Sequence, residues 1–237
     1  MASRSLALGK LQEWHSSCEV ARDLGITQKT AWFMLHRIRY AIKQGSIEKM
    51  DGPVEADETF IGGLEKNKHE DKKLKQGRGT VGKTIVMDVL DRAGATTQVR
   101  AKVIKDTSKK TLHAEIRKEV SAFSELYTDA WKGYRGLTPE YIYKFVDHVV
   151  NYAIGQVHTN GLENFWALLK RWLKGTYISV EPFHLFCYFD EEVFRFNNRA
   201  YYNRGRFMMV LGSVGGKRLT YDTLTRSYEA YYAEVMP

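Results

Sequence analysis

At 237 residues with 43% apolar content, the chain is long enough for one good-sized domain plus a small appendage and too hydrophobic to stay disordered. Its 36 Lys and Arg against 28 Asp and Glu leave a net charge of +8, which favours an anionic partner, most simply a nucleic acid. Two cysteines, Cys18 and Cys187, are too few for a disulfide framework or a four-cysteine zinc site, and no run of about 18 apolar residues offers a membrane span. Both cysteines lie in apolar helical patterns, so they read as reduced core thiols of a cytoplasmic protein.

The first predicted element is a short helix over residues 18–24. Gly25 supplies a turn, and Thr27 caps a second helix running to Tyr40. A short helix, a glycine turn and a longer helix carrying Arg37 and Arg39 outline a helix-turn-helix, so residues 1–45 read as a DNA-binding segment. A plain helical hairpin is the other reading. Residues 45–53 form a turn. Residues 54–61 then alternate as a strand that Gly62 and Gly63 stop. The tract Lys66, Lys68, Lys72, Lys73, Lys75, Arg78 and Lys83 has no apolar periodicity and reads as a basic surface loop.

Residues 84–90 are apolar on both faces, as a central strand requires. A turn at residues 91–94 leads to a strand over 97–104, where Val99, Ala101 and Val103 alternate with Arg100 and Lys102. Leu112, Ile116 and Val120 have helical spacing over 109–120. Residues 125–129 and 141–150 are predicted as further strands. On the helix over 160–174, Leu162, Phe165, Leu169, Trp172 and Leu173 form one apolar stripe, while Glu163 and Lys170 share another face.

Three hairpin-linked strands, a helix, two strands and a long helix follow the order of the ribonuclease H-like fold: α/β, with a mixed sheet. In that fold the first strand is central and the fourth lies beside it. The expected division is a helix-turn-helix segment to residue 45, a catalytic domain over 53–203 with helices at its C-terminal end, and a tail over 204–237.

Acidic residues sit in three separate elements: Glu55, Asp57 and Glu58 on the first strand, Asp129 ending the fourth, and Glu163 on the long helix. Carboxylates far apart in sequence that meet at strand ends and a helix suit the binding of two hard cations during nucleic-acid cleavage or joining. Strand alternation puts Glu55 and Asp57 on one face and Glu58 on the other, but does not choose among them.

The stretches LGITQKTAWFMLHRIR, VEADETFIGG, YTDAWKGYRGL, HTNGLENFWALLKRWLKGTY and YFDEEVFRFNNR, in that order from about residue 17 to 203, resemble a bacterial insertion-sequence transposase of the DDE superfamily. The resemblance is to the ISXO-like branch, which joins a zinc ribbon and helix-turn-helix to a ribonuclease H-like catalytic domain. This chain has no cysteines for the ribbon, so a truncated gene, a late start or a lost ribbon is expected.

The resemblance implies Asp57 and Asp129 as the first two metal ligands of a pair of Mg²⁺ or Mn²⁺ ions roughly 4 Å apart. It implies Glu163 as the third, since the family lysine falls seven residues on, at Lys170; Asn160 is the rival, because an amide oxygen also ligates Mg²⁺. The implied reaction is hydrolysis at the ends of the element, then attack of the freed 3′-OH on target DNA. Lys170 is placed on the scissile phosphate.

Phosphate contacts are expected from Lys29, Arg37, Lys72, Lys73, Lys75, Arg78, Lys132 and Arg171. Trp131 and Tyr134 are divided evenly between lining the DNA channel and packing the fold. The resemblance also implies a homodimer or larger synaptic complex, in a bacterial cytoplasm at the nucleoid. A nuclease on the same fold and a catalytically decayed DNA-binding relic or repressor are the alternatives.

Overall fold

The structure, a computed structural model, describes residues 16–43, 48–62, 82–94, 96–129, 131–146, 158–177, 180 and 184–225. The chain divides into two compact units, residues 46–167 and residues 1–45 together with 168–237.

The α/β unit is a five-stranded sheet of β1 (Val54–Ile61), β2 (Thr84–Asp91), β3 (Gln98–Ile104), β4 (Glu125–Asp129) and β5 (Ile142–Val146). Their order is β3-β2-β1-β4-β5. Pairing is antiparallel from β1 through β2 to β3 and parallel from β1 through β4 to β5. This is the expected ribonuclease H-like sheet, with β1 central and β4 at its side. The predicted fifth strand ends at Val146, and its continuation to residue 150 lies outside the described residues.

Alternation along β1 decides what each face meets. Val54 and Ala56 point to one face and pack with Met87, Val89 and Leu126 against Leu112 and Ile116 of α3 (Lys109–Glu119; α1 and α2 belong to the other unit, below). Each large apolar side chain buried there contributes about 1.5–3 kcal/mol. On the opposite face a Cβ at Gly161 would meet both Glu55 and Leu90, and Leu162 donates its amide to Glu55. Trp166 Nε1 donates to Asp88 on the same face. These residues belong to α4 (Asn160–Trp172), so α3 covers one side of the sheet and the start of α4 the other. Leu162, Phe165, Leu169 and Trp172 of the predicted stripe are buried, and Trp166 joins them.

In the helical unit, α1 (Ser17–Leu24) begins with a reciprocal capping box between Ser16 and Glu19 and ends at Gly25, whose φ of 64° is left-handed. Thr27 caps α2 (Gln28–Ile42) through the Thr30 amide. α2 packs against α5 (Leu185–Asn197) and α6 (Asn203–Val214), and a short α7 (Tyr221–Thr225) follows. Residues expected as a tail from 204 onward therefore carry helices. No described helix is long and apolar enough to cross a membrane.

One sequence expectation changes in this unit. Cys18 is exposed rather than a core thiol, whereas Cys187 is buried; the polar side of α1 faces out where the apolar pattern was read as core. Arg39 of α2 is buried: it donates to Glu191 at 2.8 Å and to the Tyr177 hydroxyl at 2.8 Å, and stacks on Tyr188. Removing one partner of such a pair costs about 3–5 kcal/mol, because the other charge is left buried alone.

His36 is also buried, among Trp32, His184 and Tyr188. Burial, Arg39 and His184 push its imidazole down to about 2 from 6.5. The unfolded chain takes up a proton there below about pH 6.5 that the folded one refuses, so stability falls as pH drops. Burial pushes the Asp190 and Glu192 carboxyls of the same unit up to about 7 and about 8, and they act in the opposite sense. The His36 effect is therefore read as a difference: in thermal melts from pH 7 to pH 4 the wild type should lose stability relative to His36→Phe.

Candidate active site

The site starts at the parallel seam between β1 and β4. Glu55 pairs with Tyr127, so two further steps along both strands bring Asp57 level with Asp129. Across the antiparallel seam Asp57 faces Asp88 directly. A strand that placed two carboxylates opposite one another for stability alone would be poorly chosen, since like charges in cross-strand register repel.

The electrostatics report that crowding. Burial, then the Asp129 carboxylate, push the Asp57 carboxyl up to about 8 against 3.8 for the free side chain. Glu58 points to the α3 side, where the buried Tyr134 hydroxyl donates to it at 2.5 Å. Burial drives it up to about 7, with Asp129 adding to the rise and the Tyr134 bond opposing it. The Tyr134 hydroxyl is itself held well above its ordinary value by burial and by Glu58.

Each aspartate is anchored through one oxygen. Asp57 Oδ1 accepts the Glu58 amide at 2.8 Å, and Asp129 Oδ1 accepts the Trp131 amide at 2.9 Å. Among the described residues the second oxygen of each has no hydrogen-bond partner. A seam with all-oxygen donors and excess negative charge fits a hard divalent cation, which supplies the missing positive charge.

The third-ligand candidates sit at the start of α4. Glu163 is half-buried in the first turn. The Asn160 side-chain oxygen is enclosed and accepts no hydrogen bond among the described residues, as an amide oxygen awaiting a cation would be. Among the described residues no three His, Cys, Asp or Glu side chains already converge as a metal cage. The aspartate pair is thus assembled, and the third ligand is not drawn in with it.

Other predicted site residues are placed individually. Lys170 and Arg171 are exposed on α4, Lys132 is exposed just after β4, and Lys29 and Arg37 are exposed on α2. Lys72, Lys73, Lys75 and Arg78 lie outside the described residues. Of the two aromatics left open, Trp131 is 47% exposed and Tyr134 is fully buried in the α3-side core. Tyr134 therefore packs the fold and braces Glu58.

Sequence reasoning missed Asp88 and Arg92. A single acid inside the apolar strand from Ile85 to Leu90 was the available signal for Asp88. Arg92 read only as part of a turn, yet its guanidinium binds Glu55 and His158.

An uncharacterized transposase-like protein of Haemophilus influenzae is 31% identical over 97 residues, covering 40% of this chain and 78% of that protein. Residues 49–197 match the ISXO2-like transposase domain family, a span that holds all five strands and both candidate aspartates. With more than half its length matched, the chain belongs to the ISXO2-like transposase domain family.

Proposed function

We propose that this chain is a DDE-type DNA transposase that hydrolyses a phosphodiester at the ends of its element and joins the freed 3′-OH to target DNA. One observation carries the reading: Asp57 and Asp129 crowd together on neighbouring parallel strands of a ribonuclease H-like sheet. Asp57 and Asp129 hold the metal, with Glu163 as third ligand and the Asn160 amide oxygen as its rival. When bound, two Mg²⁺ or Mn²⁺ ions supply Lewis-acid activation of water and stabilisation of the leaving 3′ oxygen.

The protein's own groups orient the reaction. The Glu58 and Trp131 amides fix one oxygen of each aspartate and leave the other for the cation. Lys170 meets the scissile phosphate. Lys29, Arg37, Lys132 and Arg171, with Lys72, Lys73, Lys75 and Arg78 of the basic tract, bind the DNA backbone without reading sequence, so affinity falls steeply with salt. The working form is a homodimer or larger synaptic complex in the cytoplasm, with element ends and target DNA as its partners.

The test uses purified full-length protein and duplex DNA from the flanks of its gene, in Mg²⁺ or Mn²⁺. Nicks bearing a 3′-OH, followed by joining to a plasmid, are expected. Cleavage without joining would make it a nuclease on the same fold, and binding without nicking in either metal would make it a relic or repressor. In the same assay Glu163→Ala should lower cleavage at least about a hundredfold, and Asn160→Ala less than about tenfold, as a ligand and a neighbour would. The reverse ranking would transfer the role to Asn160.

A further inference from the structure

We propose that Glu55, Arg92 and His158 form a positioning clamp that sets the first turn of α4, and with it the third ligand, against the Asp57–Asp129 pair. The role rests on the metal-site reading above.

Glu55 is 1% exposed, on the same face of β1 as Asp57 and two residues before it. Its Oε2 accepts the Leu162 amide at 2.9 Å, one of the donors a helix leaves unpaired at its start. The neighbouring backbone is so close that a Cβ at Gly161 would sit 2.9 Å from both carboxylate oxygens and 3.0 Å from Leu90 Cδ1. Glycine at 161 is what lets the helix reach the strand.

Arg92 completes the clamp. Its Nε donates to Glu55 Oε1 at 2.7 Å, and its Nη2 lies 2.5 Å from the same oxygen. Nη2 also donates to the His158 carbonyl oxygen at 2.6 Å and lies 2.7 Å from His158 Nδ1. Nδ1 receives the Asn160 amide too, at 3.3 Å, so two donors face that nitrogen and the ring proton belongs on Nε2. The guanidinium lies over the Tyr127 ring, 4.8 Å from its centre, on the strand that ends in Asp129. One charged group thus ties together β1, β4, the end of β2 and the entry to α4.

Stability alone does not call for this arrangement. A buried ion pair is a weak stabiliser, and a serine or threonine cap would satisfy a helix start at lower desolvation cost. What the clamp adds is registration. Glu55 is about 7 Å along a stiff strand from Asp57. The amide it holds, Leu162, lies directly before Glu163 and two residues after Asn160. Groups that fix a metal ligand's orientation typically govern about ten- to a hundredfold in metal affinity.

The test measures Mn²⁺ binding by the DNA-free full-length chain, alongside amide hydrogen exchange and DNA affinity. Glu55→Ala is expected to weaken Mn²⁺ about ten- to a hundredfold and to speed exchange at residues 160–166. DNA affinity should stay within about twofold, because the exposed cations set it. Glu55→Gln keeps one acceptor oxygen, enough for the Leu162 amide or the Arg92 fork but not for both, and should recover part of the loss, a partial rescue that general destabilisation would not give. Should Glu55→Ala fail to fold, Arg92→Lys, which loses the fork but keeps the charge, is expected to weaken Mn²⁺ in the same way. Wild-type Mn²⁺ affinity in these folded variants, with binding lost in Asp57→Asn, would overturn the clamp alone. Absence of Mn²⁺ binding by the wild type would instead overturn the metal reading and the clamp with it.

Discussion

An Asp129→Ala protein should bind DNA like the wild type and fail to cut it. Asp129 sits at the exit of β4, with one oxygen fixed by the Trp131 amide and the other assigned to the cation in the function proposed above. Deleting a single well-placed catalytic donor costs about 10²–10³ in rate, and a metal ligand governs more of the developing charge than one donor does. The expected loss of cleavage is therefore at least about a thousandfold, or roughly 4 kcal/mol of transition-state stabilisation. Non-specific DNA affinity, in the proposed reading the work of exposed cations such as Lys29, Arg37 and Lys132, should change less than about twofold. Unfolding will not account for the loss, because removing this carboxylate relieves the repulsion on Asp57. Gel-shift and nicking assays on one preparation separate the two effects.

Asp57→Asn should give a protein that is inactive yet more stable without metal. The folded carboxyl sits near 8 and the free one at 3.8, so between these values the folded protein keeps a proton that the unfolded chain releases. The group's contribution is fully present at low pH and is lost as pH rises from about 4 through 8. Asparagine keeps the shape and never ionises. In EDTA at pH 8.5 its melting temperature should exceed that of the wild type by several degrees, since 1 kcal/mol moves a chain of this size by about 2–4 °C. The gap should close as pH falls towards 4. Glu58, driven up to about 7, pulls the wild type the same way, so some alkaline loss should persist in the variant. Added Mg²⁺ should stabilise the wild type more than Asp57→Asn. A variant less stable than the wild type at pH 8.5 would contradict the crowding.

The sheet was legible because its strands obey simple rules. β2 is apolar on both faces and the stripe on α4 repeats at helical steps, so there local pattern and final burial coincide, whereas β1 alternates in sequence yet buries Glu55 between Val54 and Ala56. That the first strand lies beside the fourth followed from the fold that the element order suggests, and the choice of Asp57 over Glu55 and Glu58 came from the family resemblance. The clamp was not legible, because Glu55 and Arg92 are 37 residues apart and their partnership depends on where α4 enters. In sequence, Arg92 looks like any charged turn residue. The burial of Arg39 was not legible for a related reason: a cation on an amphipathic helix is usually solvated, and here Glu191, far along the chain, pairs with it. Helices beyond residue 203 carry little amphipathic signal, and their packing against α2 is a tertiary matter.

Titrating Mn²⁺ into the DNA-free protein and following the loss of free-ion signal by electron paramagnetic resonance tests most directly whether acids 72 residues apart grip a divalent ion together. The wild type should bind Mn²⁺, and Asp57→Asn and Asp129→Asn should each weaken binding at least about a hundredfold, or roughly 2.7 kcal/mol. Equal Mn²⁺ affinity in the wild type and both variants would contradict a metal site at that seam.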